Sequence, residues 1–165
     1  MAVPFIYVTD TIQSQNMVES IFEFKLWKPT VKQPIPPNKS KKYILYYIFH
    51  LLGIFKNRDY CSVLVYAEGH IIASLLLVPK YFKWPFMNNE DLQFTYVLTK
   101  ANYRGKNLAA LMIDFGFQAT KNSKRKYWYV TTQDNVSSQR VAAKVGFLKI
   151  GEGKRSLLQL LMKYN

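Results

Sequence analysis

The chain has 165 residues, which suits one domain of ordinary size, and 49% of them are hydrophobic, enough to form a core. Lys and Arg outnumber Asp and Glu by 23 to 10, so the formal net charge is +13. This excess disfavours polycationic ligands. It favours nucleic acid, an anionic membrane surface or phosphorylated small molecules, although a solvated lysine-rich surface would give the same charge.

The cysteine content and the apolar runs indicate a reduced, cytoplasmic protein. Cys61 is the single cysteine, so no internal disulfide can form, and no Cys/His cluster has the spacing of a zinc site. The first residues have no basic segment followed by a long apolar one, as a secretory signal would. No apolar run reaches about 18 residues, so we expect no helix that spans a bilayer.

The first third of the chain predicts a strand, two helices and a loop between them. Val3–Val8 predicts the strand, and the polar residues after it can cap a helix over about Thr11–Lys25. The proline-rich segment Lys28–Lys42 predicts the loop. The apolar segment Tyr43–Phe55 predicts a helix packed on a sheet, with a wall of a substrate pocket or a membrane-surface element with basic flanks as alternatives.

The rest of the chain alternates strands with helices. A hairpin with a tight turn at Glu68-Gly69 comes first, and an aromatic loop follows it. The predicted strands are Cys61–Ala67, His70–Val78, Asp91–Thr99, Tyr127–Gln133, Phe147–Gly151 and Ser156–Lys163, and the predicted helices are Asn107–Thr120 and Ser137–Val145. This order predicts a single α/β (α+β) domain over residues 1–165, with a mixed sheet flanked by helices and a site at the carboxyl ends of the central strands.

The segment Tyr103–Ile113, YRGKNLAALMI, predicts an anion-binding turn between a strand and a helix. The first turn of a helix leaves backbone N–H groups unpaired, and the helix dipole adds partial positive charge there. Gly105 lets an anion approach the main chain, and Arg104 and Lys106 add full charges. The segment therefore predicts a phosphate-holding site, although a plain helix start can have the same composition.

Two segments resemble the GNAT superfamily of acetyl-CoA-dependent N-acetyltransferases. The stretch YVLTKANYRGKNLAALMI is similar to the family's acyl-CoA-binding motif, Arg/Gln-x-x-Gly-x-Gly/Ala after a splayed strand, with Arg104, Asn107 and Ala109 at the fixed positions. Asn107 stands where the family usually has glycine. The stretch NVSSQRVAAKVGF resembles the family's next motif at Asn135, Ser138, Lys144, Gly146 and Phe147. The resemblance extends over about residues 92–151 and implies a GNAT-like splayed, mixed sheet.

The resemblance implies that acetyl-CoA lies where strand Asp91–Thr99 separates from strand Tyr127–Gln133, and the Cys and His content leads us to expect no metal. A main-chain N–H near the end of the first strand would polarise the thioester carbonyl, on which charge develops in the transition state. The implied cofactor-binding residues are Val97, Leu98, Thr99, Arg104, Gly105, Lys106, Asn107, Leu108, Ala109, Asn135 and Ser138.

The resemblance further implies direct attack of an amine on the thioester, which needs a base for the amine's proton. Asp91 or Glu90 stands where many members of the family place a carboxylate, and His70 is a lesser candidate. The family usually has a tyrosine that protonates the leaving thiolate, but this sequence has Ala142 at that position. The remaining candidates for the acid are Tyr96, Tyr103 and water.

The sequence leaves three classes of acceptor or ligand open. The aromatic segments Tyr43–His50 and Tyr81–Met87 and the surplus of cations favour a small-molecule amine, namely an amino sugar or a nucleotide-linked amino sugar carrying phosphate. A protein N terminus or lysine is the second class. The third is a non-catalytic basic module, which would hold nucleic acid or an anionic membrane through stretches such as Lys121–Tyr129. A homodimer is also kept open.

Overall fold

The structure, a computed structural model, describes residues 3–15, 21–38, 41–155 and 160–164. Eight strands form one sheet, in the spatial order β2-β3-β4-β5-β6-β1-β7-β8. The strands are β1 (Pro4–Thr9), β2 (Glu23–Trp27), β3 (Cys61–Ala67), β4 (His70–Pro79), β5 (Leu92–Thr99), β6 (Tyr127–Thr132), β7 (Leu148–Arg155) and β8 (Leu160–Tyr164), and the helices are α1 (Lys41–Leu51), α2 (Leu108–Thr120) and α3 (Val136–Lys144). The sheet is mixed, because β5 and β6 pair in parallel while the other neighbours are antiparallel.

The first strand of the chain lies in the interior of the sheet. β1 pairs with β6 on one side and with β7 on the other. Ile6 stands between Val130 and Gly151 in this register, and its side chain is fully buried. The chain then crosses to the opposite edge of the sheet, where β2 pairs with β3. The amino-terminal residues therefore hold the two halves of the sheet together.

The helix predicted over Thr11–Lys25 is wrong for the residues that the structure describes. Residues 12–15 have no regular secondary structure, and β2 begins at Glu23. Phe24 and Leu26 face the core, whereas Glu23 and Lys25 are exposed and form an ion pair of 3.0 Å. This alternation with a period of two is the pattern of a half-buried strand. The middle of the predicted helix, residues 16–20, lies outside the described residues.

The other predicted elements agree with the structure to within a few residues at their ends. The helix predicted over Tyr43–Phe55 is α1, which ends at Leu51. The hairpin turn has positive φ at Glu68 (50°) and Gly69 (74°), as a two-residue turn of type I′ requires. The last predicted strand is β8, although its first predicted residues, 156–159, lie outside the described part of the chain.

Helices cover both faces of the sheet. On one face α2 packs across β3, β4 and β5, and α3 packs against α2 and β6. Gly116 sets the approach of α2, since an added Cβ would lie 3.1 Å from both Leu77 Cδ1 and Phe94 Cε1. On the other face α1 lies over an aromatic core. The sheet therefore has a separate packed layer on each of its faces. The ends of β5 and β6 lie between these two layers.

Candidate active site

The predicted phosphate-holding turn forms directly after β5. A single 3-10 turn, Ala101–Tyr103, leads into Arg104, and Gly105 and Asn107 then adopt left-handed conformations with φ of 79° and 58°. Asn is one of the residues that tolerate this conformation, so the turn forms without the family's usual glycine. Arg104 stays close to the strand end, because its Nε donates to the carbonyl of Thr99 at 3.3 Å.

The first N–H groups of α2 have no acceptor within the helix. Asn107 occupies the N-cap position, and no side chain of the described residues caps the helix there. The first backbone bond of the helix runs from the N–H of Leu111 to the carbonyl of Asn107. The N–H groups of the preceding residues, among them Leu108 and Ala109, therefore have no helical acceptor. Exposed Arg104 and Lys106 add positive charge beside these donors.

β5 separates from β6 before the turn, as the family resemblance implies. The parallel ladder joins Leu92, Gln93 and Phe94 to β6 and has no further pair among the described residues. A β-bulge follows on the β4 side: Thr95 pairs with Leu76 and Leu98 with Ser74, so two residues of β5 oppose one of β4. Such a bulge bends the strand that carries it. It leaves the β6-facing backbone of Val97–Thr99 outside the ladder, in the wedge between the two strands.

The bulge is built on a strained residue. Tyr96 has φ of 49°, a left-handed conformation that a tyrosine rarely adopts. Its ring packs edge-on against Tyr43 and Tyr46 of α1, with centroid separations of 6.2 Å and 6.0 Å. Burial, followed by the neighbouring Tyr81 and Tyr96, raises the pKa of Tyr46, so this phenol stays protonated at neutral pH. The packing of α1 thereby holds the strand in its bent form.

The second predicted motif forms the start of α3. The side chain of Asn135 caps the helix, since its Oδ1 accepts from the N–H of Ser138 at 3.1 Å and from the hydroxyl of Ser137 at 2.9 Å. This cap explains the spacing of Asn135 and Ser138 on structural grounds. Both residues lie just beyond the end of β6, on the other side of the wedge from the turn. Ala142, at the family's usual tyrosine position, is fully buried and carries no acid.

The surroundings of Asp91 favour a structural role over the predicted role as base. Its side chain is fully buried, and its carboxylate accepts from the N–H groups of Asn88 (2.8 Å) and Lys126 (3.0 Å) and from Nε1 of Trp128 (2.8 Å). These donors join the loop before β5 to the start of β6. Asp91 also precedes β5, roughly 20 Å along an extended strand from Val97. Glu90 is exposed in the same turn.

Asp91→Asn is expected to lower the free energy of unfolding by about 1–3 kcal/mol, because the amide turns one acceptor into a donor that faces other donors. The matched control is Glu90→Gln, an exposed neighbour for which we expect a change within about 0.5 kcal/mol. Urea denaturation followed by circular dichroism measures both. If Asp91→Asn is as stable as the wild type but has lost acetyl transfer, the result would instead support Asp91 as the base.

A cleft of about 580 Å³ opens on the α1 side of the sheet, at the carboxyl end of β5. It is lined by Pro37, Asn38, Tyr43, Tyr66, Gly69, His70, Ile71, Ile72, Ala73, Ser74, Leu98 and Lys100. None of these lining residues is acidic, and two are a histidine and a lysine. The cleft and the turn that follows β5 therefore share one strand end, with the cleft on the α1 side of the sheet.

Asn38 organises the wall of this cleft. Its Nδ2 donates to the hydroxyl of Tyr43 at 3.1 Å and to the hydroxyl of Ser74 at 3.0 Å. Its Oδ1 is buried and has no hydrogen-bond partner among the described residues, which is uncommon for a buried polar atom. Asn38 lies in a proline-rich loop with no periodic pattern, so no sequence signal marked it. The sequence feature that indicated this wall is the nearby Tyr43, which belongs to the aromatic segment predicted to favour a small-molecule pocket.

The amino-terminal segment also reaches the turn. Asp114 of α2 accepts from the N–H of Gln15 at 2.8 Å and from the hydroxyl of Ser14 at 3.3 Å, which fixes this segment on the helix. The amide of Asn107 then donates to Oε1 of Gln15 at 3.4 Å. Gln15 thus supports the left-handed residue at the start of α2. No sequence pattern indicated this contact, since it joins residues 92 positions apart.

The splayed strands, the uncapped helix and the adjacent cleft are the features of an acyl-CoA-dependent N-acyltransferase fold. The sequence profile of the acetyltransferase (GNAT) family matches residues 23–147. The chain belongs to this family, whose members use acetyl-CoA and act on small-molecule or peptide amines. No curated protein matches the chain significantly by sequence.

Solved structures of similar fold agree with this assignment. A GNAT-family acetyltransferase from Colwellia psychrerythraea has 12% identity and a TM-score of 0.56, over 90% of this chain and 53% of that one. A tandem GNAT protein of the clavulanic acid biosynthesis pathway has 10% identity and a TM-score of 0.59, over 90% and 50%. AAC(6′)-Iy, solved with a bisubstrate analogue, CoA-S-monomethyl-acetylneamine, has 14% identity and a TM-score of 0.54, over 78% and 91%. The chain thus spans about half the length of several structures that it matches.

Two further properties bear on the site. Among the described residues, no group of three or more His, Cys, Asp or Glu side chains lies close enough to hold a metal ion. In the same part of the chain, no helix is both long and apolar enough to cross a membrane.

Proposed function

We propose that this protein transfers an acetyl group from acetyl-CoA to the amine of an amino sugar, free or nucleotide-linked, that binds in the cleft beside β5. The proposal rests on two features that lie at the same end of β5. This strand leads into an uncapped helix start, and it also borders a cleft that has no acidic lining residue. We further propose a cytoplasmic location, in keeping with the free, buried thiol of Cys61.

The turn and the wedge fit acetyl-CoA. The N–H groups of Gly105 to Ala109 would hold the pyrophosphate, and Arg104 and Lys106 would neutralise its charge. The β6-facing backbone of Val97–Thr99 would pair with the pantetheine arm, because β6 has diverged there. Asn135 and Ser138 would border the arm from the start of α3. The uncapped donors at the helix start are the observation that supports this fit.

The cleft fits a neutral or anionic acceptor better than a polycationic one. The amide of Asn38, the hydroxyl groups of Tyr43 and Ser74, and the aromatic ring of Tyr66 suit a sugar, which offers both hydroxyl groups and an apolar face. Lys100 would neutralise a phosphate or diphosphate on that sugar. The buried Oδ1 of Asn38, which lacks a partner among the described residues, would accept from the substrate once the cleft is filled.

The reaction needs few groups from the protein. Acetyl-CoA supplies a thioester: its C–S bond breaks as the bond from the amine nitrogen to the acetyl carbon forms. An N–H at Val97 or Leu98 would polarise the carbonyl, and His70, an exposed imidazole in the cleft wall, would take the proton from the ammonium. The hydroxyl of Tyr96, or water, would give a proton to the leaving sulfur and recover one from the nitrogen, which loses its second proton as the amide forms. Asp91 and Glu90 stay sequence-based candidates that this scheme does not use.

The proposal is tested by the release of CoA with a panel of amines: hexosamine phosphates, nucleotide-linked amino sugars, spermine and a peptide with a free N terminus. We expect turnover with the amino sugars. His70→Gln is expected to lower kcat by about 100-fold or more, with an unchanged Kd for acetyl-CoA. Glu68→Gln, an exposed change in the same hairpin, is the control and should retain wild-type turnover.

Two results would contradict this scheme in different ways. Strong acetylation of spermine or the peptide, with none of any amino sugar, would overturn the acceptor class and leave acetyl transfer in place. Wild-type kcat in His70→Gln would overturn the choice of base alone.

A further inference from the structure

The outward face of α1 is apolar and exposed. Its inward residues, Tyr43 and Tyr46, are buried, as expected for a helix packed on a sheet. The opposite side would normally carry charged or polar residues. Here it carries Ile44, Leu45, Ile48, Leu51 and, just after the helix, Leu52, which are 45%, 52%, 42%, 59% and 70% exposed. Together these residues form the α1 patch.

The α1 patch is a continuous surface. Its members follow the spacing i, i+1, i+4, i+7 and i+8, which places them on one stripe of a helix. Phe82 extends the stripe, because it is 48% exposed and its ring lies 5.7 Å from that of Phe49, which borders the patch. A contiguous apolar surface of this kind marks an interaction site more often than isolated exposed residues do.

Cations surround the α1 patch. Arg58 is exposed and is held at the end of the helix, where Nη1 donates to the carbonyl of His50 at 3.2 Å. Lys56 and Lys83 are also exposed and follow directly after Phe55 and Phe82, whose rings pack on Phe49. The nearest acidic side chain along this segment, Asp59, is already paired with Arg125 at 2.5 Å. The rim therefore has a net positive charge.

We propose that the α1 patch docks on an anionic membrane surface. Apolar side chains on one face of a helix, with Lys and Arg beside them, are the combination that places a helix in the interfacial plane of a bilayer. The formal net charge of +13 adds a long-range attraction to anionic lipids. A second copy of the chain fits less well, because a two-fold contact through this patch would bring the two basic rims together. This proposal does not depend on the proposed function.

Cosedimentation with two kinds of vesicle tests the proposal: phosphatidylcholine alone, and phosphatidylcholine with phosphatidylglycerol in equal parts. We expect binding to the anionic vesicles that falls as salt is raised, and little binding to the neutral ones. Leu45→Gln/Ile48→Gln/Leu51→Gln should weaken the binding by at least about tenfold, since three apolar anchors are lost. Val136→Gln/Leu148→Gln, which changes exposed apolar residues outside the patch, is the matched control.

A second variant keeps the test valid if the triple variant does not fold. Lys56→Gln/Arg58→Gln should weaken binding to anionic vesicles by roughly fivefold for each charge and flatten the salt dependence. Equal sedimentation with and without vesicles would overturn the proposal. A dimer in light scattering that the triple variant converts to a monomer, without vesicle binding by the wild type, would overturn it in favour of a second copy on this face.

Discussion

Gly105→Asp is expected to weaken acetyl-CoA binding by at least about 100-fold. Gly105 has φ of 79°, which costs an L residue about 1–2 kcal/mol. The new carboxylate would also stand beside the N–H groups that we assign to the pyrophosphate, where it repels the ligand and can occupy the donors itself. No heavy atom other than its chain neighbours lies within 4 Å of a Cβ built at Gly105, so the change should not disturb packing.

Two control variants separate charge from backbone strain. Gly105→Lys introduces the same strain with the opposite charge, so it should bind acetyl-CoA more tightly than Gly105→Asp. Gly53→Asp places the same side chain at another left-handed glycine, with φ of 66° and open space around it, away from the turn. Calorimetry at moderate salt measures the affinities, and thermal unfolding measures the stability of each variant.

The outcomes for Gly105→Asp lead to different conclusions. Tight binding by wild type and Gly53→Asp, lost in Gly105→Asp, would support the turn as the phosphate site. Unchanged affinity in Gly105→Asp would contradict that assignment. No binding by the wild type would favour a non-catalytic module on a GNAT scaffold, and nucleic acid and vesicles would become the ligands to test.

The local features of the site could be predicted from the sequence because each depends on a short stretch. Gly105 and Asn107 are residues that accept a left-handed backbone, and the apolar helical pattern after them marks where α2 begins. The start of α3 is likewise marked locally, by Asn135 and Ser138 three residues apart, although the cap that they form was not predicted. The separation of β5 from β6 came from the family resemblance, since the three-pair ladder involves two distant segments.

The features that depend on distant contacts could not be predicted. The residues of Pro4–Thr9 do not indicate that this strand pairs with β6 and β7, which lie more than 100 residues later in the chain. The strand β2 is short, so its alternation of exposed and inward residues is a weaker signal than the helical pattern of the apolar residues around it. The surroundings of Asp91 also depend on distant contacts. Its sequence position suits a base, but the three groups that donate to its carboxylate come from a loop and from the start of β6.

The position of β1 leads to the prediction with the largest effect on stability. Ile6→Asp is expected to destabilise the fold by roughly 5 kcal/mol, comparable to the total stability of a small domain. Ile6 is fully buried in the core beneath α1, and its strand forms the sole ladder between β6 and β7 in the described residues. A carboxylate there would be buried without a cation, and the apolar contacts of isoleucine would be lost as well.

Val3→Asp is the matched control, since Val3 lies just before the same strand and is 36% exposed. We expect it to fold, with a change in stability within about 0.5 kcal/mol. Size-exclusion chromatography and urea denaturation followed by tryptophan fluorescence would report both variants, because Trp128 lies on β6 beside β1. Cooperative unfolding of Ile6→Asp near the wild-type midpoint would mean that β6 and β7 do not need β1 between them. Loss of the fold would instead mean that a segment outside the family match at residues 23–147 is required for the sheet that carries the acetyl-CoA site.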